Sequence, residues 1–494
     1  MMMELYAATF PILSTLLLTC VAGLLLILVT PGKWQGAIKW ISAISSGMTL
    51  ILSIYVFGAY DKMTGGMQFV ENIPWVPSLG ITYLNGVDGF SVPMILLTGI
   101  VFFTGILTMW ELETRVKEFY ALYILLVTGV FGMFMALDLF FMFVWYDVSL
   151  FPMYLLILIW GSTKREYGAL KLTLYLLAGS ALILPAMLYL VQVSGQGSFS
   201  LPVLVHLAKF TLFQQKLAFL LLYIGFGILA GVWPFHTWSP VGHVAAPTSV
   251  SMLHAGVLMK IGAFGIIRVG IFLCPQGWAF WSPLMAVLAT IGIVYGALAG
   301  LRQTDLKFVI GYSSVSHMGI VGLGLSCVSV DGLNGAVFQM FAHGIMTALL
   351  FSSVGYIYDR THTKEISELG GLAHTLPVAS SYFIFAALAG IGVPCMASFW
   401  AELTVFIAAF RVYPVLAVFA VSALIISALF ILRVVEKTFF GPARQKYEHI
   451  PDVSFALGIP RMILVTVIMI FGLMPFLMVE TIQTASTLLM NGTP

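Results

Sequence analysis

Long apolar runs recur along the whole chain, separated by glycine, proline or clusters of charge. The hydrocarbon core of a bilayer is about 30 Å thick, so a helix needs about 20 apolar residues to cross it. A membrane barrel would show short segments of alternating polarity instead. Only 9% of the 494 residues are charged and 60% are hydrophobic, whereas soluble domains carry about 25% charged residues. The chain is therefore predicted to be an all-α, polytopic membrane protein.

The apolar runs predict about fourteen transmembrane helices. The first run has no basic segment before it and no clear small-residue cleavage site after it, so it is interpreted as a retained span and not as a signal peptide. The predicted spans are approximately 5–29, 36–58, 88–110, 118–136, 138–160, 166–193, 216–239, 245–273, 279–301, 307–329, 333–358, 376–410, 414–440 and 458–486.

Basic residues are distributed unevenly between the two alternating sets of loops. Loops that follow odd-numbered spans hold sixteen lysines and arginines. Loops that follow even-numbered spans hold five, which are Lys62, Lys209, Lys216, Arg268 and Arg411. Because cytoplasmic loops of membrane proteins are enriched in basic residues, the first set is predicted to be cytoplasmic and both termini external.

Proline interrupts two predicted spans in similar surroundings. The seventh span contains Gly231-Val-Trp-Pro234 and the twelfth contains Gly392-Val-Pro394. Such breaks are tolerated at membrane depth only beside protein or a water-filled cavity. An offset of five spans inverts orientation, so the breaks predict two inverted five-helix repeats, a usual sign of an ion path in transporters. The predicted segments are three helices (1–117), a first repeat of helices 4–8 (118–273), a second repeat of helices 9–13 (279–440), and a loop with helix 14 (441–494).

Ionisable side chains within the apolar runs are the candidate functional residues. An ammonium at bilayer depth costs about 2.5–3.5 kcal/mol on insertion scales, which makes Lys260 the clearest candidate. Neutral histidine suits proton transfer because one ring nitrogen accepts while the other donates. The predicted proton pathway consists of Asp138, Asp147, His236, His254, Lys260, Lys307, His317, His343 and Glu402.

Structural roles are the alternative for several of these residues. Asp138 also fits an external helix end, and Lys307 also fits a lysine that extends its ammonium to the membrane surface. A single membrane histidine also fits a hydrogen-bonded packing residue. His243 is predicted to be a loop or helix-entry residue outside the pathway.

The sequence contains no pattern typical of a resident cofactor. The cysteines Cys20, Cys274, Cys327 and Cys395 form no CxxC pair, so neither a disulfide framework nor a metal site is predicted. No nucleotide-binding fingerprint occurs, and the longest predicted loops, 60–87 and 441–457, are too short for a nucleotide-binding or cluster-binding domain. We therefore expect no cofactor in this chain, and a driving reaction that occurs in a partner or is an ion gradient.

Several motifs resemble subunit M of respiratory complex I, one of its antiporter-like membrane subunits. The resemblance extends over about residues 80–440, and the same fold occurs in Mrp-type sodium/proton antiporters and membrane-bound hydrogenases. The motifs are Asn85-Gly-Val-Asp-Gly-Phe-Ser, Trp145-Tyr-Asp-Val-Ser-Leu-Phe-Pro, Pro234-Phe-His-Thr-Trp, Ala255-Gly-Val-Leu-Met-Lys, Asp305-Leu-Lys-Phe-Val-Ile-Gly-Tyr-Ser-Ser-Val-Ser-His-Met-Gly, Gly332-Leu-Asn-Gly-Ala-Val and Tyr358-Asp-Arg-Thr-His-Thr-Lys-Glu-Ile.

The resemblance implies roles for five residues and shows two departures. It implies a fifth-span acid, an eighth-span lysine, central histidines and a twelfth-span acid, which fall on Asp147, Lys260, His317, His343 and Glu402. The family's fifth-span acid is normally glutamate after tryptophan, whereas Asp147 follows tyrosine. Its seventh-span lysine is replaced here by Leu229. We therefore predict that His254, which is unusual for this subunit, compensates for the missing lysine.

The predicted function is that of a proton-translocating membrane subunit of a complex I type NADH-quinone oxidoreductase. The resemblance implies flavin, iron-sulfur clusters and quinone in partner subunits, with other membrane-arm and peripheral-arm subunits as partners. It places the chain in the inner membrane of a bacterium or an equivalent energy-coupling membrane. The alternatives are an Mrp-type antiporter or membrane-bound hydrogenase subunit, or a scaffold of the membrane arm that does not pump. No nucleic-acid partner is predicted.

Overall fold

The computed structural model describes residues 4–492, which form a bundle of long helices with a small sheet at one end. Residues 1–3 and 493–494, at the ends of the first and last predicted segments, lie outside the described residues.

In the first half of the chain the elements are β1 (Leu5–Ala7), α1 (Ile12–Val29), α2 (Gln35–Ala59), β2 (Met67–Val76), β3 (Ile81–Val87), α3 (Ser91–Thr108), α4 (Val116–Met135), α5 (Leu139–Trp160), α6 (Arg165–Ser194), α7 (Leu201–Leu207), α8 (Leu212–Ala230), α9 (Trp238–Ala245), α10 (Thr248–Leu253) and α11 (Met259–Gly265). In the second half they are α12 (Pro275–Arg302), α13 (Leu306–Ser326), α14 (Val330–Thr361), α15 (Leu372–Thr375), α16 (Pro377–Ile391), α17 (Ala397–Val412), α18 (Pro414–Phe439), α19 (Phe455–Leu473) and α20 (Phe476–Asn491).

The long helices confirm the predicted fold class. Within residues 4–492, thirteen helical segments are long and apolar enough to cross a membrane. The twelfth predicted span is absent from these thirteen because its break divides it into α16 and α17, of 15 and 16 residues. The segments Thr248–Ile271 and Val330–Thr361 are buried over their most apolar stretches, so they form the centre of the bundle.

Three details of the predicted elements were wrong. The first run does not begin as a helix, because Leu5–Ala7 pairs as a strand with β2 and α1 begins only at Ile12. The predicted loop 60–87 contains β2 and β3, which form an antiparallel hairpin. The last run is two helices, and the second, α20, lies across the ends of α3 and α14, where Thr481 contacts Gly89 and Gln483 contacts Asn334.

Two helix starts, five spans apart, share one local geometry. Asp138 caps α5 and Asp305 caps α13, each through Oδ1 bonded to the backbone N–H groups two and three residues later. Each aspartate also forms an isolated antiparallel bridge with a later segment, at Ser200 and Glu365 respectively. Asp138 lies at the end of the bundle that carries the sheet, where Thr82 also bonds it, and α13 begins at the opposite end. This geometry is the arrangement expected of inverted repeats.

We call the end of the bundle opposite the sheet the basic side. There α5 ends at Trp160, α9 ends at Ala245, α13 begins at Leu306 and α14 ends at Thr361. Hydrogen bonds join these termini, since Ser162 bonds the end of α9 and Lys364 bonds Ser162.

Candidate functional site

Lys260 lies at the centre of the bundle. It belongs to the continuous segment Thr248–Ile271, in which α10 and α11 alternate with π-helical turns at His254–Leu258 and Ile266–Ile271. Such turns are frequently found at functional sites. The Lys260 side chain is fully buried, and its ammonium donates to the backbone oxygen of Ala255. Burial on all sides directs this charge into the protein interior and away from lipid.

The Lys260 ammonium also contacts a histidine on the neighbouring helix. Its Nζ lies 2.7 Å from Nδ1 of His343 on α14. The helices approach closely because Gly256 faces Gly344, where an added Cβ would lie 2.6 Å from the Gly256 oxygen. Since an ammonium only donates, Nδ1 accepts and the neutral ring carries its proton on Nε2. The buried Nε2 has no hydrogen-bond partner in the described structure.

The polar contacts continue from His343 to an acid on α17. The His343 and His317 rings are 5.1 Å apart between centroids. Nδ1 of His317 lies 3.2 Å from Oε1 of Glu402, and Gln339 Nε2 lies 3.1 Å from that nitrogen and 3.2 Å from that oxygen. With a proton on Nδ1, His317 donates to Glu402. Without one, it accepts from Gln339, so both tautomers are satisfied. We call Lys260, His343, His317, Gln339 and Glu402 the central chain.

The break between α16 and α17 positions Glu402. Gly392 ends α16 with φ +76°, and its N–H bonds Ala389 while the next N–H bonds Leu388. This pair of bonds is the common glycine-terminated helix end. A Cβ at Gly392 would lie 2.7 Å from Oε2 of Glu402. Glycine is therefore required both by the backbone conformation and by the carboxylate beside it.

The seventh span breaks in the same way. Gly231 ends α8 with φ +70°, its N–H bonds Ile228, and the next N–H bonds Gly227. The chain resumes as α9 after one 3₁₀ turn at Phe235–Thr237. The two predicted breaks are thus real and share one hydrogen-bonding pattern.

Polar side chains follow one face of the segment after the seventh-span break. Ser239 and His243 are four residues apart on α9, which places them on one face of that helix, and His236 lies in the 3₁₀ turn just before it. Ser239 Oγ lies 3.1 Å from Nε2 of His243. The His243 ring is 4.5 Å from that of His254, whose ring also packs on Trp238. We call His236, Ser239, His243 and His254 the histidine branch.

The prediction that His243 is a loop or helix-entry residue was wrong. It lies in the last turn of α9, and its side chain is fully buried. The signal that could have identified it is the spacing from His236 through Ser239. That spacing was missed because the prolines on both sides suggested a loop.

The remaining predicted site residues lie away from the central chain. Asp147 is half-buried on α5, where Oδ1 accepts a 3.1 Å hydrogen bond from Ser180. No described hydrogen bond or ion pair joins it to Lys260. Leu229, where the family has lysine, is fully buried. Asp138 is an N-cap bonded to backbone groups and to Thr82, which matches the structural alternative for that residue.

Lys307 lies at the basic side. Its ammonium donates a 2.8 Å hydrogen bond to the backbone oxygen of Ala246, just after α9. Lys364, in the loop after α14, is close enough to act on it electrostatically. Burial lowers the pKa of Lys364, while neighbouring Asp305 opposes that shift. Lys307 therefore belongs to a cluster at the mouth of the bundle and not to its centre.

Several buried polar atoms near the centre have no partner within residues 4–492. Buried polar groups are almost always bonded to protein or to ordered water, so this interior is suited to hold water. The atoms include both ring nitrogens of His236 and of His254, Nδ1 of His243, Nε2 of His343, Oγ of Ser249 and Oγ of Ser314.

A buried ion pair was not predicted. Arg268, assigned from sequence to an external loop, lies inside the last π-helical turn with its side chain fully buried. Its guanidinium binds both oxygens of Asp88 at 2.8 and 2.6 Å and the hydroxyl of Ser91 at 2.6 Å. Such bidentate pairing fixes orientation as well as charge. The pair joins the central helix to the start of α3.

Within residues 4–492, no group of three histidine, cysteine, aspartate or glutamate side chains lies close enough together to hold a metal ion. The polar groups of the centre form a line instead of a cage. This arrangement suits transfer along a path.

A family model described as NADH:quinone oxidoreductase/Mrp antiporter, transmembrane, matches residues 136–427, which include every member of the central chain and the histidine branch. The chain belongs to this family. NADH-quinone oxidoreductase subunit M of Rhodobacter capsulatus is 35% identical over 455 residues, covering 90% of this chain and 88% of the relative. NAD(P)H-quinone oxidoreductase chain 4 2 of Microcystis aeruginosa is 37% identical, covering 88% and 80%.

Solved structures agree with this assignment. A chain of respiratory complex I from Thermus thermophilus with bound NADH superposes with a TM-score of 0.88 and 27% identity, over 97% of this chain and 99% of that one. A chain of the Mrp complex from Dietzia superposes with a TM-score of 0.84 at 21% identity, covering 98% of each, which shows the shared fold. The protein is an antiporter-like membrane subunit of the complex I type, and its partners are other subunits of such an assembly.

Proposed function

We propose that this subunit translocates protons along the central chain, driven by electron transfer in partner subunits. The observation that carries the proposal is the series of contacts from Lys260 to Glu402, in which hydrogen bonds at each end are joined by the packed rings of His343 and His317. Moving one charge against 100 mV requires about 2.3 kcal/mol. No residue of the central chain performs redox chemistry, so that free energy must come from partners. We assign flavin, iron-sulfur clusters and quinone to those partners.

The chemistry of each step follows from the donors and acceptors. The Lys260 ammonium donates to Nδ1 of His343, and an imidazole protonated there can release the proton held on Nε2. His317 passes a proton on by changing its partner from Gln339 to Glu402. Because the groups are coupled, they titrate as a set. The histidine branch supplies Lys260 from the other side, because His254 lies within electrostatic range of the Lys260 ammonium.

Orientation follows from the same geometry. We place the basic side in the cytoplasm of a bacterium, because it carries most of the loop lysines and arginines. Both described ends of the chain lie at the sheet end, opposite the basic side. Glu4 bonds the start of β2, and α20 lies beside the sheet. This supports an external position for both termini. Protons would then enter near the histidine branch. They would leave past Glu402 on α17, which runs away from the basic side.

A transport assay tests the proposed function. Inverted membrane vesicles that contain the assembled complex should acidify when NADH is supplied, and they should not acidify in response to a sodium gradient alone. Glu402→Gln removes the last proton acceptor, so we expect fewer protons per electron pair while NADH oxidation continues. Glu436→Gln, at an exposed position on α18, is the matched control and should leave the ratio unchanged.

Each contrary outcome points to a different function. Acidification driven by sodium without NADH would replace the proposal by an Mrp-type antiporter. An unchanged proton-to-electron ratio in Glu402→Gln would favour a scaffold that does not pump.

His254 is expected to compensate for the leucine at position 229. His254→Phe keeps an aromatic ring against Trp238 and His243 but removes both ring nitrogens, so proton pumping should fall. General acid–base groups contribute about 10²–10⁴-fold to proton-transfer rates, and we expect a loss at the lower end because Lys260 remains. The measurement is the initial rate of NADH-driven acidification. His449→Phe, exposed in the loop after α18, is the control. Unchanged pumping in His254→Phe would exclude a role for the histidine branch.

A further inference from the structure

The basic-side end of α9 is held by three other parts of the chain. A helix leaves its last carbonyl oxygens without partners in the helix. Here these oxygens belong to His243, Val244, Ala245 and the following Ala246. Ser251 donates to the first at 2.9 Å, and Ser162 donates to the next two through Oγ at 3.3 Å and N–H at 2.8 Å. Lys307 donates to the last at 2.8 Å.

Among these donors, only Lys307 is long, flexible and charged. It is in the first turn of α13 and is 3% exposed. The charged groups that act on it are Lys364, Asp305 and Asp359, all at the basic side. The ammonium thus bonds the carbonyl end of α9 and lies within electrostatic range of two acids, of which Asp359 is exposed.

One hydroxyl lies near the Ala246 oxygen besides the Lys307 ammonium. Ser251 Oγ is 3.3 Å from this oxygen and 2.9 Å from the oxygen of His243. A hydroxyl has a single proton, so Ser251 donates to only one of these oxygens at a time. Departure of the ammonium therefore leaves one carbonyl oxygen at this helix end without a protein donor, which water entering from the basic side would have to bond.

The matching position in the first repeat carries aromatic rings. The second residue of α5 is Phe140 and the second residue of α13 is Lys307. The first residue of each helix bonds the backbone oxygen of Phe199 or Lys364, respectively. Phe140 and Phe199 pack with ring centroids 6.2 Å apart. The same backbone frame therefore carries an apolar pair at the sheet end and two lysines at the basic side.

We propose that Lys307 is a movable closure of the basic side, resting on Ala246 to seal the histidine branch and turning toward Asp359 to admit protons to His243. This inference rests on the proposed proton function and adds the residue that controls the entry of protons from the basic side. His243 is the first group behind the closure, with a buried Nδ1 that has no protein partner among the described residues. Lys307 is a positioning residue in this scheme and does not itself need to carry protons.

Access to the end of α9 provides a direct test. The assembled complex would carry Val244→Cys in a chain whose four native cysteines are replaced, in inverted vesicles with the basic side outward. A membrane-impermeant maleimide then reports exposure of position 244, which is 3% exposed here. We expect Lys307→Met to accelerate labelling at least about tenfold, because the contribution of one hydrogen bond from a charged donor exceeds the roughly 1.4 kcal/mol that corresponds to a tenfold change. Lys307→Arg keeps a cationic donor and should label close to the parent rate.

The controls separate closure from general disruption. Lys437→Met, at an exposed position in the last turn of α18, should not change labelling. Continued NADH oxidation shows that each variant assembles. Equal labelling of Lys307→Met and its parent, or equally fast labelling of Lys307→Arg and Lys307→Met, would overturn the closure. Labelling does not depend on pumping. If Glu402→Gln pumps normally while Lys307→Met labels faster, the closure stands and the proton function falls.

Discussion

Lys260→Met is expected to lower the number of protons moved per electron pair while the complex still assembles. The substitution preserves the length of the side chain but removes the only ammonium in the central chain. The hydrogen bond to Nδ1 of His343 is then lost. A positioned acid–base group contributes about 10²–10⁴-fold to proton transfer, so transport through this subunit should fall by at least about 100-fold. The measurement is the proton-to-electron ratio in inverted vesicles, read from pH change and NADH absorbance together.

The thermal stability of Lys260→Met distinguishes a functional role for Lys260 from a structural one, because only a structural role would require the substitution to destabilise the fold. An ammonium at bilayer depth costs about 2.5–3.5 kcal/mol, and the hydrogen bonds of Lys260 recover part of that cost. We therefore expect the melting midpoint of Lys260→Met to stay the same or rise. Lys216→Met, which removes a half-buried lysine over the Phe280 ring, is the control for transport. An unchanged ratio in Lys260→Met would remove the central chain as the proton path.

The second large effect is expected from breaking the buried pair between Arg268 and Asp88. Arg268→Met leaves the Asp88 carboxylate buried without its cation, and removal of one partner from a buried pair costs about 3–5 kcal/mol. Ser91 and backbone N–H groups still bond Asp88, so we expect the lower end of that range. The measurement is unfolding of the purified subunit in mixed micelles titrated with a denaturing detergent.

A double substitution and a surface control complete this test. Asp88→Asn removes the stranded charge while keeping an oxygen for the backbone N–H groups, so Arg268→Met with Asp88→Asn should regain much of the lost stability. Arg115→Met breaks an exposed pair with Glu118, with side chains 58% and 48% exposed, and exposed pairs contribute about 0–1 kcal/mol. Equal destabilisation by Arg115→Met and Arg268→Met would show that the buried Arg268 pair contributes no more to stability than an exposed pair.

The two substitutions differ in a way that the sequence did not indicate. Lys260 and Arg268 lie eight residues apart on the same segment, Thr248–Ile271. Arg268 has a bidentate acid partner, and its loss should destabilise the fold. Lys260 has a neutral histidine partner, so its loss should affect transport. Partner identity is a property of neighbouring helices, so local sequence could not assign these roles.

Local chemistry made several features predictable. Runs of about 20 apolar residues can cross a bilayer only as helices, so the fold class followed from composition. Glycine and proline at the two breaks forced the helices to end, because glycine tolerates φ near +70° and proline lacks an N–H. Lys260 and Glu402 were evident as charges within apolar runs. Their burial in the structure agrees with that expectation.

Tertiary packing decided the rest. The pairing of β1 with β2, the path of α20 and the burial of His243 all depend on contacts between residues far apart in the chain, which hydropathy does not encode. Gln339 joins the site only because α13, α14 and α17 meet at His317 and Glu402. The sequence by itself determined that the chain is a membrane helix bundle with titratable groups in its interior, since transfer free energies act on each segment separately. Only the tertiary structure decided which of those groups touch, because hydrogen bonds of about 3 Å depend on how the helices pack.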